Sequence, residues 1–165
     1  MKKVFFLLSF VLLIGLTTNA QKNVITTNPL ALALGDVNLG YERALNSSSS
    51  VLIGGEYINN MLGVDVKMGE LNLGYRYYFT HIKKEVPRGL YISPQASIGL
   101  GKLSDQNATL LGAGAELGHQ WIWSGFTLNL GVGVFYYNLE CIKENETTRY
   151  YGLIPGLNVS VGYAF

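Results

Sequence analysis

Residues 71–79 read Leu-Asn-Leu-Gly-Tyr-Arg-Tyr-Tyr-Phe. In an extended chain, where side chains alternate with period two, Leu71, Leu73, Tyr75, Tyr77 and Phe79 fall on one face. Asn72, Gly74, Arg76 and Tyr78 fall on the other. The phrase returns as Val37-Asn38-Leu39-Gly40-Tyr41 and as Leu128-Asn129-Leu130-Gly131-Val132. It returns more loosely as Leu157-Asn158-Val159-Ser160-Val161-Gly162-Tyr163. Repetition of one alternating phrase predicts a sheet whose strands all face the same two environments.

A soluble barrel turns its apolar set inward and presents Lys, Glu and Thr to water. Here the non-apolar set is small instead: Gly40, Asn72, Gly74, Ser97, Gly112, Gly118, Asn129, Gly131 and Ser160 are typical members. Such a face suits a crowded, narrow interior. The opposite face is bulky, aliphatic and aromatic, as a wall against lipid must be. The expected architecture is all-β, an eight-stranded antiparallel up-and-down transmembrane β-barrel.

The start of the chain agrees with export. Lys2 and Lys3 precede an apolar run over residues 4–16, and Thr18-Asn19-Ala20 supplies small residues for cleavage. Residues 1–20 therefore read as a signal peptide cleaved near Ala20-Gln21, and residues 21–165 as one barrel domain. The apolar run is too short for a helical span, which needs roughly 20 residues. The full chain carries 12 basic and 11 acidic residues. Without Lys2 and Lys3 the remainder is close to neutral, which offers no electrostatic case for nucleic acid. Cys141 is the only cysteine, so no intrachain disulfide can form, and it lies too far from the signal to carry a lipoprotein anchor.

Strands are expected over residues 23–34, 37–45, 51–58, 68–79, 90–101, 108–123, 126–137 and 150–165. Pro29 interrupts the first and suggests an edge or a bulge. Ser124 and Gly125 signal a tight hairpin. Residues 46–49, 80–89 and 124–125 then turn on the periplasmic side. Residues 35–36, 59–67, 102–107 and 139–149 form loops on the outer side.

With these features in view, the chain resembles the small outer-membrane β-barrels of the OmpA/OmpX-like superfamily. The carriers of the resemblance are the signal ending in Ala20-Gln21, the repeated Asn-Leu-Gly-Tyr phrase and the strand closing on Tyr163-Ala164-Phe165. The resemblance implies location in a Gram-negative outer membrane and contact with the bilayer and lipopolysaccharide. It also implies recognition of Tyr163 and Phe165 by the barrel-assembly machinery. The fold hosts unrelated functions, so activity does not follow from it.

By parity the interior receives Glu42, Glu56, Glu70, Arg76 and Glu116. Ionisable groups at membrane depth are candidates for function, yet an eight-stranded lumen is barely wide enough for its own side chains, which fill it by pairing. The reading is a filled polar lumen with a charge network. Four glutamates face one arginine, so either some sit at the wet ends or one is held protonated.

His119 shares parity with the outer set, and His81 sits in a charged turn. Neither is placed for a Ser–His–acid site at the outer rim, and no His/Cys cluster has metal spacing. No cofactor is expected. A non-enzymatic structural or surface-interaction envelope protein is thus the expected function. A lipid A-modifying enzyme and a narrow pore are the alternatives.

Overall fold

The computed structural model describes residues 22–61, 63–79, 86–143 and 146–165. The proposed signal, His81 and Asn145 lie outside them. The strands are β1 (Asn23–Thr27), β2 (Asp36–Asn46), β3 (Ser49–Met61), β4 (Val64–Tyr78), β5 (Gly89–Leu103), β6 (Gln106–Trp123), β7 (Phe126–Lys143) and β8 (Glu146–Ala164). Each pairs antiparallel with the next, and β8 returns to β1, which closes the barrel.

Alternation decides which side chains enter. On β4, Leu73 is 64% exposed while Arg76 is only 3% exposed. The same parity governs the whole wall. In residues 51–57, 71–77, 90–100, 111–123, 126–136 and 151–163, every Asp, Glu, Lys or Arg occupies an inward position. Aliphatic and aromatic side chains cover the outside.

The inward glycines are seats for large neighbours. A Cβ on Gly118 would collide with the Tyr91 ring, and one on Gly131 would lie 2.7 Å from the Glu116 carboxyl carbon. Phe135 lies across Gly114, Gly133 and Gly156 in the same way. Glycine is the residue that lets a bulky neighbour lie flat on the inner wall.

Among the described residues, two connections are two-residue turns with left-handed backbone at both positions. Ser104 and Asp105 have φ of 45° and 65°, and Ser124 and Gly125 have φ of 48° and 93°. That handedness matches the twist of the strands they join.

Several boundaries differ from the expectation. The first strand stops at Thr27, and Pro29–Ala33 forms a short helix, α1. Asn28 caps it, its side chain accepting from the Leu30 and Ala31 N–H groups at 3.0 and 3.1 Å. Proline suits the first helical position, where its missing N–H costs nothing. Most of the loops expected at 59–67, 102–107 and 139–149 continue the neighbouring strands. Alternation fades toward the tips of these hairpins, where both faces meet solvent. Tyr150 and Tyr151 are accordingly both exposed.

The end carrying the turns at Ser124–Gly125 and between β2 and β3 is here termed the base, and the opposite end the mouth. Near the mouth the wall is incomplete. β8 pairs with β1 only from Val161 to Ala164, whereas it pairs with β7 from Glu146 onward. On the other side, β1 reaches β2 only as far as Gly40. Above Thr27 a slot therefore separates β2 from β8, and α1 packs against both strands. Pro155 lies on the free edge of β8, where proline is tolerated.

Candidate functional site

The barrel interior divides into two halves of different character. In the base half, Arg76 from β4 is the centre. Its Nη1 donates to Glu42 Oε2 at 2.8 Å and to Gln120 Oε1 at 2.9 Å. Its Nη2 stands 3.9 Å from Glu116 Oε1. The guanidinium also lies over the Tyr91 ring, 4.0 Å from the centroid.

The two carboxylates on Arg76 are themselves saturated with donors. Glu42 accepts from Ser50 Oγ and, at 2.7 Å, from Tyr78 Oη. Glu116 accepts from Tyr91 Oη at 2.6 Å and from Asn158 Nδ2 at 3.2 Å. Gln120 passes the network on to the Pro87 carbonyl at 3.0 Å. Below it, Val24, Val86 and Ala164 form an apolar floor with Ile122 packed against it. Buried charges persist where partners and hydrogen bonds compensate their lost hydration, and here six strands supply compensating groups or the charges themselves. The result is a plug.

The mouth half is built differently. Glu56 on β3 stands directly across from Glu70 on β4. Asp36, the first residue of β2, is the diagonal cross-strand neighbour of Glu56, one inward position nearer the mouth. None of these three forms an ion pair with a described cation. They line a cavity of about 380 Å³, together with Asn72, Gln95, Phe135 and Tyr137. Arg76 and Glu116 contribute to its floor. Asp36 Oδ1 and Arg76 Nε are both buried without a hydrogen-bond partner.

The lumen is thus filled in its base half and hollow toward the mouth, which corrects the expectation of a filled interior. The reason is the residue set. Tyr78, Tyr91 and Gln120 occupy the base, while Gly54 adds no side chain above.

Of the five charged residues singled out, Glu42, Arg76 and Glu116 are brought together, and Glu56 and Glu70 form a separate pair nearer the mouth. Sequence reasoning missed Tyr78, Tyr91 and Gln120 as their partners, and it read Asp36 as a turn residue. Parity alone places these side chains inside. Which of them meet depends on strand register, which parity does not supply.

The other candidates lie outside this network. His119 is on the outer face, its ring 4.1 Å from that of Trp121. Cys141 is buried near the mouth with Met68 and Ala108, and partly buried Leu103, Leu110 and Leu139 pack against them. Tyr163 faces outward beside Gly125, and the Phe165 carbonyl accepts from Asn23 N at 3.0 Å.

A family model described as a protein of unknown function, DUF3575, matches residues 5–141, most of the chain. The chain belongs to this family. DUF3575 carries no functional description, so the all-β barrel and its interior are what this chain contributes to understanding the family. No curated protein and no solved structure matches the DUF3575 chain.

Proposed function

We propose that the protein is a small integral outer-membrane β-barrel, similar in form to the OmpA/OmpX-like barrels. Its role is non-enzymatic: it holds a plugged barrel in the membrane and offers its mouth to the exterior. One observation carries the reading, the layering of the outer surface.

At the base, Trp121 stacks on Trp123 at 6.4 Å and Trp123 on Phe126 at 6.2 Å, with Tyr77 and Phe79 on a neighbouring part of the rim. Toward the mouth, Tyr57, Tyr136 and Tyr151 are exposed. Between Phe126 and Tyr136 on β7 the outward residues are Leu128, Leu130, Val132 and Val134. Ten residues at ~3.3 Å each span about 33 Å along the strand. At the usual tilt of such strands this gives a height of about 25 Å, the apolar band of an outer-membrane barrel. Aromatic girdles at both edges belong to the same pattern.

This reading makes the bilayer and lipopolysaccharide the surroundings of the wall. It makes β8, with Tyr163 and Phe165, the strand offered to the barrel-assembly machinery. Cell fractionation tests it. The protein is expected with the outer membrane, cleaved near Ala20 and heat-modifiable on gels. Recovery as a soluble periplasmic monomer overturns the proposal.

A further inference from the structure

We infer that the hollow half of the barrel is a binding site for a primary alkylammonium, a positively charged amine carrying a hydrocarbon chain. Three observations converge on that chemistry. The first is charge. Arg76 is committed to Glu42 and Glu116, which leaves Asp36, Glu56 and Glu70 around the cavity with no described cation paired to them. Carboxylates held this close repel one another, and a cation among them removes the repulsion.

The second is an unmet acceptor. Asp36 is more than nine-tenths buried and lines the cavity, yet its Oδ1 has no hydrogen-bond partner. A buried acceptor without a donor is costly. An ammonium supplies three donors on one compact charge. A bare metal ion fits less well, because no described group of three or more His, Cys, Asp or Glu is arranged to hold one.

The third is the slot. Leu39 and Leu157 point outward by strand parity, yet both line the cavity, as does Ile154 on the free stretch of β8. The cavity therefore extends to the slot between β2 and β8, beside α1, which packs against both strands, with apolar side chains along that exit. An amine held by Asp36 and Glu56 can extend its chain past Leu39 and Leu157. That the exit gives onto lipid rests on the membrane reading above, which fractionation tests separately. The same amine chemistry can arrive from water through the mouth or from a lipid headgroup through the slot.

The experiment is calorimetric titration of octylammonium into the folded barrel held in phosphatidylcholine nanodiscs. One saturable site per barrel is expected. Octanoate, octanol and butylammonium are each expected to bind at least tenfold more weakly. Asp36→Asn and, independently, Glu56→Gln are expected to weaken octylammonium at least tenfold, with folding of each variant verified by heat-modifiable migration. Equal binding of octanoate or octanol, equal binding of butylammonium, or unchanged affinity in both variants overturns the proposal. Displacement of octylammonium by calcium at equal concentration also overturns it, since the site is then a general cation site. Repeating the titration in nanodiscs containing phosphatidylethanolamine separates the sources. A loss of apparent affinity shows that a lipid amine reaches the site through the slot. Unchanged affinity overturns the lateral route and assigns the site to an amine arriving from water.

Discussion

Arg76 Nη1 and Glu42 Oε2 meet at 2.8 Å across the barrel interior, joining β4 to β2 past the intervening β3. Both side chains are almost fully buried, so the pair acts as an internal cross-brace whose loss leaves a charge stranded.

Replacing Arg76 by Met keeps the bulk and removes the charge. The expected cost is about 3–5 kcal/mol, the usual penalty for leaving one buried partner uncompensated. Urea titration in lipid vesicles measures it. Adding Glu42→Gln to the variant is expected to recover part of the loss, and strict additivity of the two substitutions would show that the pair is not coupled.

Gly118→Ala places a methyl group against the Tyr91 ring and 2.7 Å from the Leu130 carbonyl oxygen. Overpacking of this kind costs about 1–3 kcal/mol. The double variant Gly118→Ala/Tyr91→Leu is expected to be less perturbed than additivity implies. Equal stability of Gly118→Ala and wild type in the same titration would mean that Tyr91 has free room.

Val132 and Tyr151 test the outer layering. Val132→Arg, between the aromatic rims, is expected to cost about 2–4 kcal/mol, and Tyr151→Arg about 0–1 kcal/mol. If water bathed the whole wall, both substitutions would be close to neutral in unfolding titrations.

Orientation is read by labelling whole cells with an impermeant thiol reagent. In a Cys141→Ser background, Asn60→Cys and Asp105→Cys at the mouth are expected to react. Ser47→Cys and Ser124→Cys at the base are not. The reverse pattern places the base outside.

The plug predicts electrical silence. In planar bilayers the wild type is expected to show no steady conductance, because Arg76, Tyr78, Tyr91 and Gln120 leave no continuous water path at the base. A stable open channel would require that network to part.

Much of this architecture is legible along the chain, for reasons visible in single residues. Leu73 and Arg76 announce their faces because a half-buried strand must alternate, and Ser124-Gly125 announces its turn because left-handed backbone favours glycine. Pro29 misled as an interrupted strand, although Asn28-Pro29 carries the helix-start pattern of a capping side chain followed by proline. The polar stretch around Glu140 and Arg149 misled as a loop. Those two residues are cross-strand partners, joined at 2.7 Å on a hairpin that continues β7 and β8. The interior charges could be placed inside but not matched. Pairing Arg76 with Gln120 requires knowing how far three strands, β4 to β6, shift against each other, and nothing in a period-two pattern contains that offset.

The shortness of β1 has a consequence for the order in which the chain assembles. From β2 to β8 every pairing is between neighbours joined by a hairpin, so each can zip from its own turn with little entropy lost to loop closure. The final seam is of another kind: Asn23 Nδ2 donates to the Phe165 carbonyl across 142 residues of sequence. Contacts so distant form slowly and only after the intervening chain is already ordered. β1 is thus the last stitch, sewn with the shortest thread. Until it is in place the two outermost strands present open edges, and that interval is when the nascent barrel most needs a chaperoning surface.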